Sequence, residues 1–199
     1  MNLKKAYILV ILILLIDQIT KIFIKTHFFL NDGFNVFGLE WFRIHFIENE
    51  GMAFGFELPF ASGKLILTLF RIFAVIGIGW WLQDAVKRHS SAYLIVAISL
   101  IMAGAMGNIF DSVFYGVIFN DSTHQVASLF AENPYGTWFH GRVVDMLHFP
   151  IYEGTLPDWI PFFGGKYFKF FDYIFNIADM AISTGVGILL VFNKKAFKN

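Results

Sequence analysis

Four blocks of about twenty mostly apolar residues, each carrying polar groups that hydrocarbon rejects, dominate this chain. They run at roughly 6–25, 65–83, 93–114 and 173–192. A bilayer core of ~30 Å is crossed by a helix of about 20 residues, so each block reads as a transmembrane span. Only 15% of the 199 residues are charged and 57% are hydrophobic, well below the ~25% charge of an ordinary soluble domain. The expected fold is all-α and integral to the membrane: a four-helix transmembrane bundle, with residues 1–199 as one membrane domain. Two long connections, about 26–63 and 117–170, join the spans.

The net charge is zero, but it is unevenly placed. Lys4 and Lys5 precede the first span, Lys87 and Arg88 lie between the second and third, and Lys194, Lys195 and Lys198 follow the fourth. These short segments hold one acid, Asp84, whereas acids outnumber bases in the two long connections. The positive-inside rule puts both termini and the short loop in the cytoplasm and both long connections outside. Residues 1–16 imitate a signal peptide, but no small-residue cleavage site follows, so a retained helix is expected. Cysteine is absent, which excludes thiol nucleophiles, disulfides, cysteine-ligated zinc and palmitoylation. No nucleic-acid partner is expected.

The connections carry local order of their own. Phe42, Ile44 and Phe46 alternate with Arg43 and His45, a period of two that predicts a strand. Asn49-Glu50-Gly51 then turns the chain, and Met52 to Phe56 is expected to return as a second strand. Val143 to Leu147 has strand character, giving a small extracytoplasmic β-sheet. Lys166 to Phe171 mixes bases with aromatics as an interfacial segment does.

The polar intrusions point to chemistry. Asp17 and Lys21 share a face at i,i+4, Arg71 interrupts the second span, and Gly104, Asn108 and Asp111 share a face of the third. In the fourth, Asp172, Asn176, Asp179 and Ser183 are spaced as one helical stripe. At 1.5 Å per residue, Asp179 and Arg71 both lie about 9 Å below the outer boundary, with the other groups in the same outer layer. Close helix packing accounts for Gly104 and Gly107, and polar residues can glue helices together. An ionised carboxylate is an expensive glue, so Asp179 is read as functional. Asp17 and Lys21 form a structural pair, Asn108 and Asp111 are hydrogen-bonding supports, and Asn49 either makes its turn or joins the site. Asp145, in the strand just before the fourth span, completes a candidate dyad with Asp179. Two adjacent carboxyls cannot both ionise readily, so one keeps a proton while the other acts as a base. That suffices to hydrolyse an amide without metal or cofactor. G-x-S-x-G and H-E-x-x-H are absent. His140, Asp145 and His148 form a lesser metal-binding alternative. A proton-coupled transporter or channel, with the aspartates as a relay, is the rival from another class. Such proteins usually show repeated halves and a midplane site, and this sequence shows neither.

Five motifs then occur in one order: Asp17-Gln18-x-x-Lys21, Asn49-x-Gly51-x-Ala53-Phe54, Gly104-Ala105-x-Gly107-Asn108-x-x-Asp111, Val144-Asp145 and Phe175-Asn176-x-Ala178-Asp179. In this the chain resembles the bacterial lipoprotein signal peptidases (signal peptidase II). The resemblance implies a four-helix inner-membrane aspartyl endopeptidase with an outer β-cradle and a short interfacial helix. It implies removal of the signal peptide from diacylglyceryl-modified prolipoproteins just before the lipidated cysteine, with Asp145 and Asp179 catalytic. Substrate and membrane lipids are the expected partners, and the protein is expected to act as a monomer with its site toward the outer face. One departure stands out. The family commonly continues its third motif Asp-Arg, whereas Ser112 follows Asp111 here; either Arg71 is the substitute cation for Asp111, or it snorkels to the outer headgroups.

Overall fold

The computed structural model describes residues 1–50 and 63–198; Gly51, Ala53, Phe54 and the expected return strand at 52–56 lie outside them. Among the described residues, three helices are long and apolar enough to cross a membrane: α1 (Leu3–Lys25), α2 (Gly63–Lys87) and α3 (Ala92–Ile118). A shorter apolar helix, α4 (Ile177–Val191), follows, and then one turn, α5 (Asn193–Ala196). Side-chain caps set several of these ends. Asn2 accepts from the Lys5 N–H at 3.0 Å, and Ser91 accepts from the Leu94 N–H at 3.2 Å. Between α2 and α3, His89 takes a left-handed φ of 53°. The Ser90 N–H then returns to the Ala85 carbonyl and the His89 N–H to that of Val86, closing the helix end.

Helix α3 is the hub: α1, α2 and α4 all pack on it. Glycines allow the close approach of α4. A Cβ at Gly104 would overlap the Ala178 carbonyl, and one at Gly185 would sit 2.7 Å from the Ala97 carbonyl. One apolar cluster gathers Leu82, Ala85, Ile95 and Ile98 at the end holding the α2–α3 turn. A second, at the opposite end, joins Ile24, Phe46, Tyr115, Phe119 and Met146. Near that end α3 loosens into a π-helical turn, Asp111–Tyr115, a form often found at functional sites. The Ser112 carbonyl accepts from the Gly141 N–H at 2.9 Å and the Val113 carbonyl from the Phe139 N–H at 3.1 Å, which fastens the 137–141 loop to the helix. Only glycine fits at 141, because a Cβ there would overlap the Asp111 carbonyl.

The connections form two small antiparallel sheets. Strands β1 (Gly33–Asn35), β2 (Arg43–Asn49), β3 (Val143–His148) and β6 (Ile174–Phe175) pair in the order β1-β2-β3-β6. Strands β4 (Tyr152–Thr155) and β5 (Tyr167–Phe170) make a separate ribbon, so Lys166–Phe171 contributes an extended edge. The interfacial helix implied by the resemblance is not among the described residues.

The fourth apolar block departs from expectation. Its first residues are strand β6, and α4 begins only at Ile177. Asn176 is the N-cap: its side chain accepts from the Asp179 N–H at 2.9 Å, while Asp179 Oδ2 accepts from the Asn176 N–H at 3.4 Å. This reciprocal capping box stops the helix extending backward. The single stripe of Asp172, Asn176, Asp179 and Ser183 is therefore broken. Asp172 lies outside the helix, where it accepts from His148 Nε2 at 2.9 Å and pairs with Lys169 at 3.4 Å.

Candidate active site

A buried charge layer lies under the sheet. Asp17, Lys21 and Asp111 are wholly inaccessible to solvent. The Lys21 ammonium reaches Asp17 Oδ2 at 3.0 Å, Asp111 Oδ2 at 2.8 Å and Asn108 Oδ1 at 3.0 Å, so its three protons all have acceptors. The remaining carboxylate oxygens are used as well. Asp17 Oδ1 accepts from the Ala178 N–H at 2.9 Å, tying α1 to the first turn of α4. Asp111 Oδ1 accepts from Gln18 Nε2 at 2.9 Å, and Asp111 Oδ2 also accepts from the Val144 N–H at 3.3 Å, tying α3 to β3. A Cβ on Gly107 would press on Asp17 Oδ2 at 2.5 Å, so α1 can come this close only to glycine.

Lys21, not Arg71, is thus the cation on Asp111. Ser112 is buried, and its hydroxyl donates to the Asn108 carbonyl at 3.0 Å. Arg71 lines a cavity instead, and the carboxylate whose charge acts on it is Asp179.

Three asparagines build the next layer around Asp145 and Asp179. Asn176 Nδ2 donates to Asp145 Oδ1 at 2.6 Å, to Asn108 Oδ1 at 3.1 Å and to the Val144 carbonyl at 3.2 Å. Asn108 Nδ2 donates to Asp179 Oδ1 at 2.8 Å. Asn49, at the end of β2, donates through Nδ2 to Asp145 Oδ2. Asn176 touches both carboxyls, through its side chain to Asp145 and its backbone N–H to Asp179. Burial pushes the Asp145 carboxyl up to about 8, and the neighbouring Asp179 carboxylate adds to the effect.

Both aspartates face one cavity of about 530 Å³. Arg71, Val75 and Ile78 of α2 form one wall, and Ile182 and Ser183 of α4 another. The space lies between α2 and α4, each of which packs on α3. Gly104 and Ala178 lie behind the site, where their contact brings α3 and α4 together. Gly51 falls outside the described residues. The imidazoles of the metal alternative are engaged elsewhere: His140 Nδ1 with Thr137 and the Trp138 carbonyl, His148 with Asp172. No cluster of His, Asp and Glu suited to a metal ion occurs among the described residues. Sequence reasoning overlooked two participants. Gln18 bridges Asp17 and Asp111, and its place beside Asp17 was the available signal. Arg142 pairs with Glu48 and Glu50 on either side of Asn49, and nothing in its local sequence signals that role.

The chain is similar to known proteins along almost its whole length. A family model described as signal peptidase (SPase) II matches residues 9–194. A lipoprotein signal peptidase of Porphyromonas gingivalis is 50% identical over 191 residues, covering 94% of this chain and 82% of its own. One from Amoebophilus asiaticus is 36% identical, covering 96% and 78%. A solved bacterial membrane enzyme shares the fold at a TM-score of 0.65 and 23% identity, covering 99% of this chain and 93% of that one.

Proposed function

The chain belongs to the signal peptidase II family, and from that premise we propose that it is an aspartyl endopeptidase. It removes signal peptides from diacylglyceryl-modified prolipoproteins, cleaving just before the lipidated cysteine. The observation that carries this reading is the convergence of Asp145 and Asp179 on one cavity with a single asparagine bonded to both.

The environments of the two carboxyls support distinct roles for them. Asp179 sits in the first turn of α4, where the helix N-terminus favours negative charge, and it accepts from Asn108 and from the Asn176 N–H. The Arg71 cation acts in the same direction. Asp179 is therefore the base, and Asp145, buried beside it, holds the proton. Asp179 takes a proton from water as the oxygen attacks the scissile carbonyl carbon, and Asp145 protonates the carbonyl oxygen. On collapse, the C–N bond breaks, the proton on Asp179 passes to the leaving amine, and Asp145 recovers its own. The dyad ends as it began, and water is the only co-reactant.

The membrane geometry suits such a substrate. We read α1 to α4 as a four-helix transmembrane bundle with cytoplasmic termini, the sheets and dyad lying toward the outer face of the inner membrane. The gap between α2 and α4 then opens sideways to lipid, so diacylglyceryl chains stay in the outer leaflet while the peptide bond enters the cavity. The enzyme acts as a monomer and needs no metal.

Incubating purified protein with a diacylglyceryl-prolipoprotein tests this. Asp145→Asn and Asp179→Asn should each lower turnover by roughly 10²–10⁴-fold without unfolding the protein, and the double variant should be scarcely worse than either. Substantial turnover by either single variant overturns the assignment.

A further inference from the structure

Asn49 holds Asp145 from the end of a strand. It is the last residue of β2, paired with Val143 of β3, and the ladder goes no further among the described residues. Alternation along the strand turns its neighbour Glu48 to the opposite face, and Glu50 follows just past the strand's end. There one guanidinium meets both: Arg142 Nη1 lies 3.3 Å from Glu48 Oε2, and Arg142 Nε lies 3.3 Å from Glu50 Oε1. Arg142 immediately precedes β3, so it stands where the next rung of the ladder would be.

The surroundings of Arg142 hold it still. Its ring neighbour Tyr135 lies 5.1 Å below the guanidinium, and the Arg142 N–H donates to the Tyr135 hydroxyl at 2.6 Å. Asp121 Oδ2 accepts from Nη1 at 3.4 Å. Each glutamate is gripped from its far side as well, Glu48 by Lys25 and Ser122, and Glu50 by Lys64 at the start of α2. A chain of charges thus runs from α1 through both ends of the β2–β3 pairing to α2, with Arg142 at its centre.

We propose that Arg142 is a positioning residue for the cleavage reaction: by straddling Glu48 and Glu50 it holds the Asn49 amide against Asp145. The proposal rests on the dyad reading above. Arg142 does not act on Asp145 directly. The charges that act most on Asp145 are Asp179 of α4, Lys21 of α1 and Asp111 of α3, while Arg71 of α2 faces the same cavity. Arginine suits this place because its rigid planar fork fixes the spacing of Nη1 on Glu48 and Nε on Glu50, which an ammonium on a flexible stem fixes less firmly.

The test measures kcat and KM against pH on a diacylglyceryl-prolipoprotein for wild type, Arg142→Ala, Asn49→Ala and the double variant. Arg142→Ala should lower kcat about tenfold with KM little changed, through lost orientation. It should also move the alkaline limb upward, because an amide donor to a carboxylate favours the ionised form and its loss raises the pKa. The double variant should match Asn49→Ala, since both changes remove one interaction. Should Arg142→Ala fail to fold, Arg142→Lys carries the test and should show the same changes in smaller degree. Wild-type kcat and limb in the variant that folds, or additive losses with an unmoved limb, overturn the proposal. Asp145→Asn run in parallel separates the cases: an active Asp145→Asn sinks the dyad, whereas an inactive one beside an unaffected Arg142 variant sinks only this proposal.

Discussion

Lys21→Met removes the one cation that Asp17 and Asp111 share, and its cost follows from the geometry. The ammonium contacts both carboxylates and Asn108 within 3.0 Å, and all three charged groups are fully buried. Methionine keeps the volume and leaves two carboxylates without a counter-charge. Breaking a buried ion pair in this way costs about 3–5 kcal/mol. At roughly 2–4 °C per kcal/mol for a chain of this size, the midpoint for thermal unfolding in detergent should fall by about 6–20 °C. The control is the triple variant Asp17→Asn, Lys21→Met, Asp111→Asn. Its amide oxygens still accept from the Ala178 and Val144 N–H groups, and no charge remains to be neutralised. Most of the lost stability should return, since replacing a buried ion cluster whole is far cheaper than halving it. An unchanged midpoint for Lys21→Met, or a triple variant no more stable than the single, would refute the reasoning.

Stability should also report on Asp145. Its folded pKa of about 8 exceeds the ~3.9 of an unfolded chain. Between those values the folded protein holds a proton that the unfolded chain releases, so stability falls as pH rises from about 4 to about 8 and levels off above. Asp145→Asn should flatten that decline in pH-dependent unfolding; an unaltered slope would mean another group sets it. Gly104→Val should push α4 from α3, because even a Cβ overlaps the Ala178 carbonyl. A penalty of about 1–3 kcal/mol or more is expected, with lower turnover, although Gly104 is not among the residues lining the cavity; a fully active, stable variant would contradict the close packing. Reporter fusions after Lys198 and within 86–90 should read as cytoplasmic and those within 121–135 as exterior, and an exterior C-terminus would overturn the topology.

The residues of the site were readable because a membrane sequence makes polar groups conspicuous. Asp17, Lys21, Asn108, Asp111, Asn176 and Asp179 interrupt apolar blocks, and all six meet in one hydrogen-bonded cluster. What hydropathy hides is conformation. Ile174 and Phe175 are as apolar as the helix that follows, so the change from strand to helix at Asn176 leaves no trace in the pattern, and the helical stripe through Asp172 was an artefact of that continuity. Charge pairing across the chain was equally hidden. Lys21 at i,i+4 from Asp17 looked fully occupied, which sent the search for Asp111's cation to Arg71. An ammonium has three donors, and Lys21 serves both acids. The pairing of Arg142 with Glu48 spans 94 residues, beyond the reach of any local pattern.

The division of labour between amides and cations explains why the two layers differ. A carboxyl pair that must keep one proton cannot be surrounded by cations, because enough positive charge would ionise both members. Amide donors can hydrogen-bond a carboxyl oxygen in either protonation state. Around Asp145 and Asp179 the donors include Asn49, Asn108 and Asn176, with the Arg71 cation acting on Asp179. Lysine appears one layer away, where Lys21 pairs with Asp17 and Asp111 and those two carboxyls accept from backbone N–H groups of α4 and β3. Those two backbone bonds fall at Ala178 and Val144, each one residue before a dyad member. The charged layer therefore fixes the positions of both aspartates, while the amide layer, on the proposed dyad mechanism, leaves a shared proton free to move.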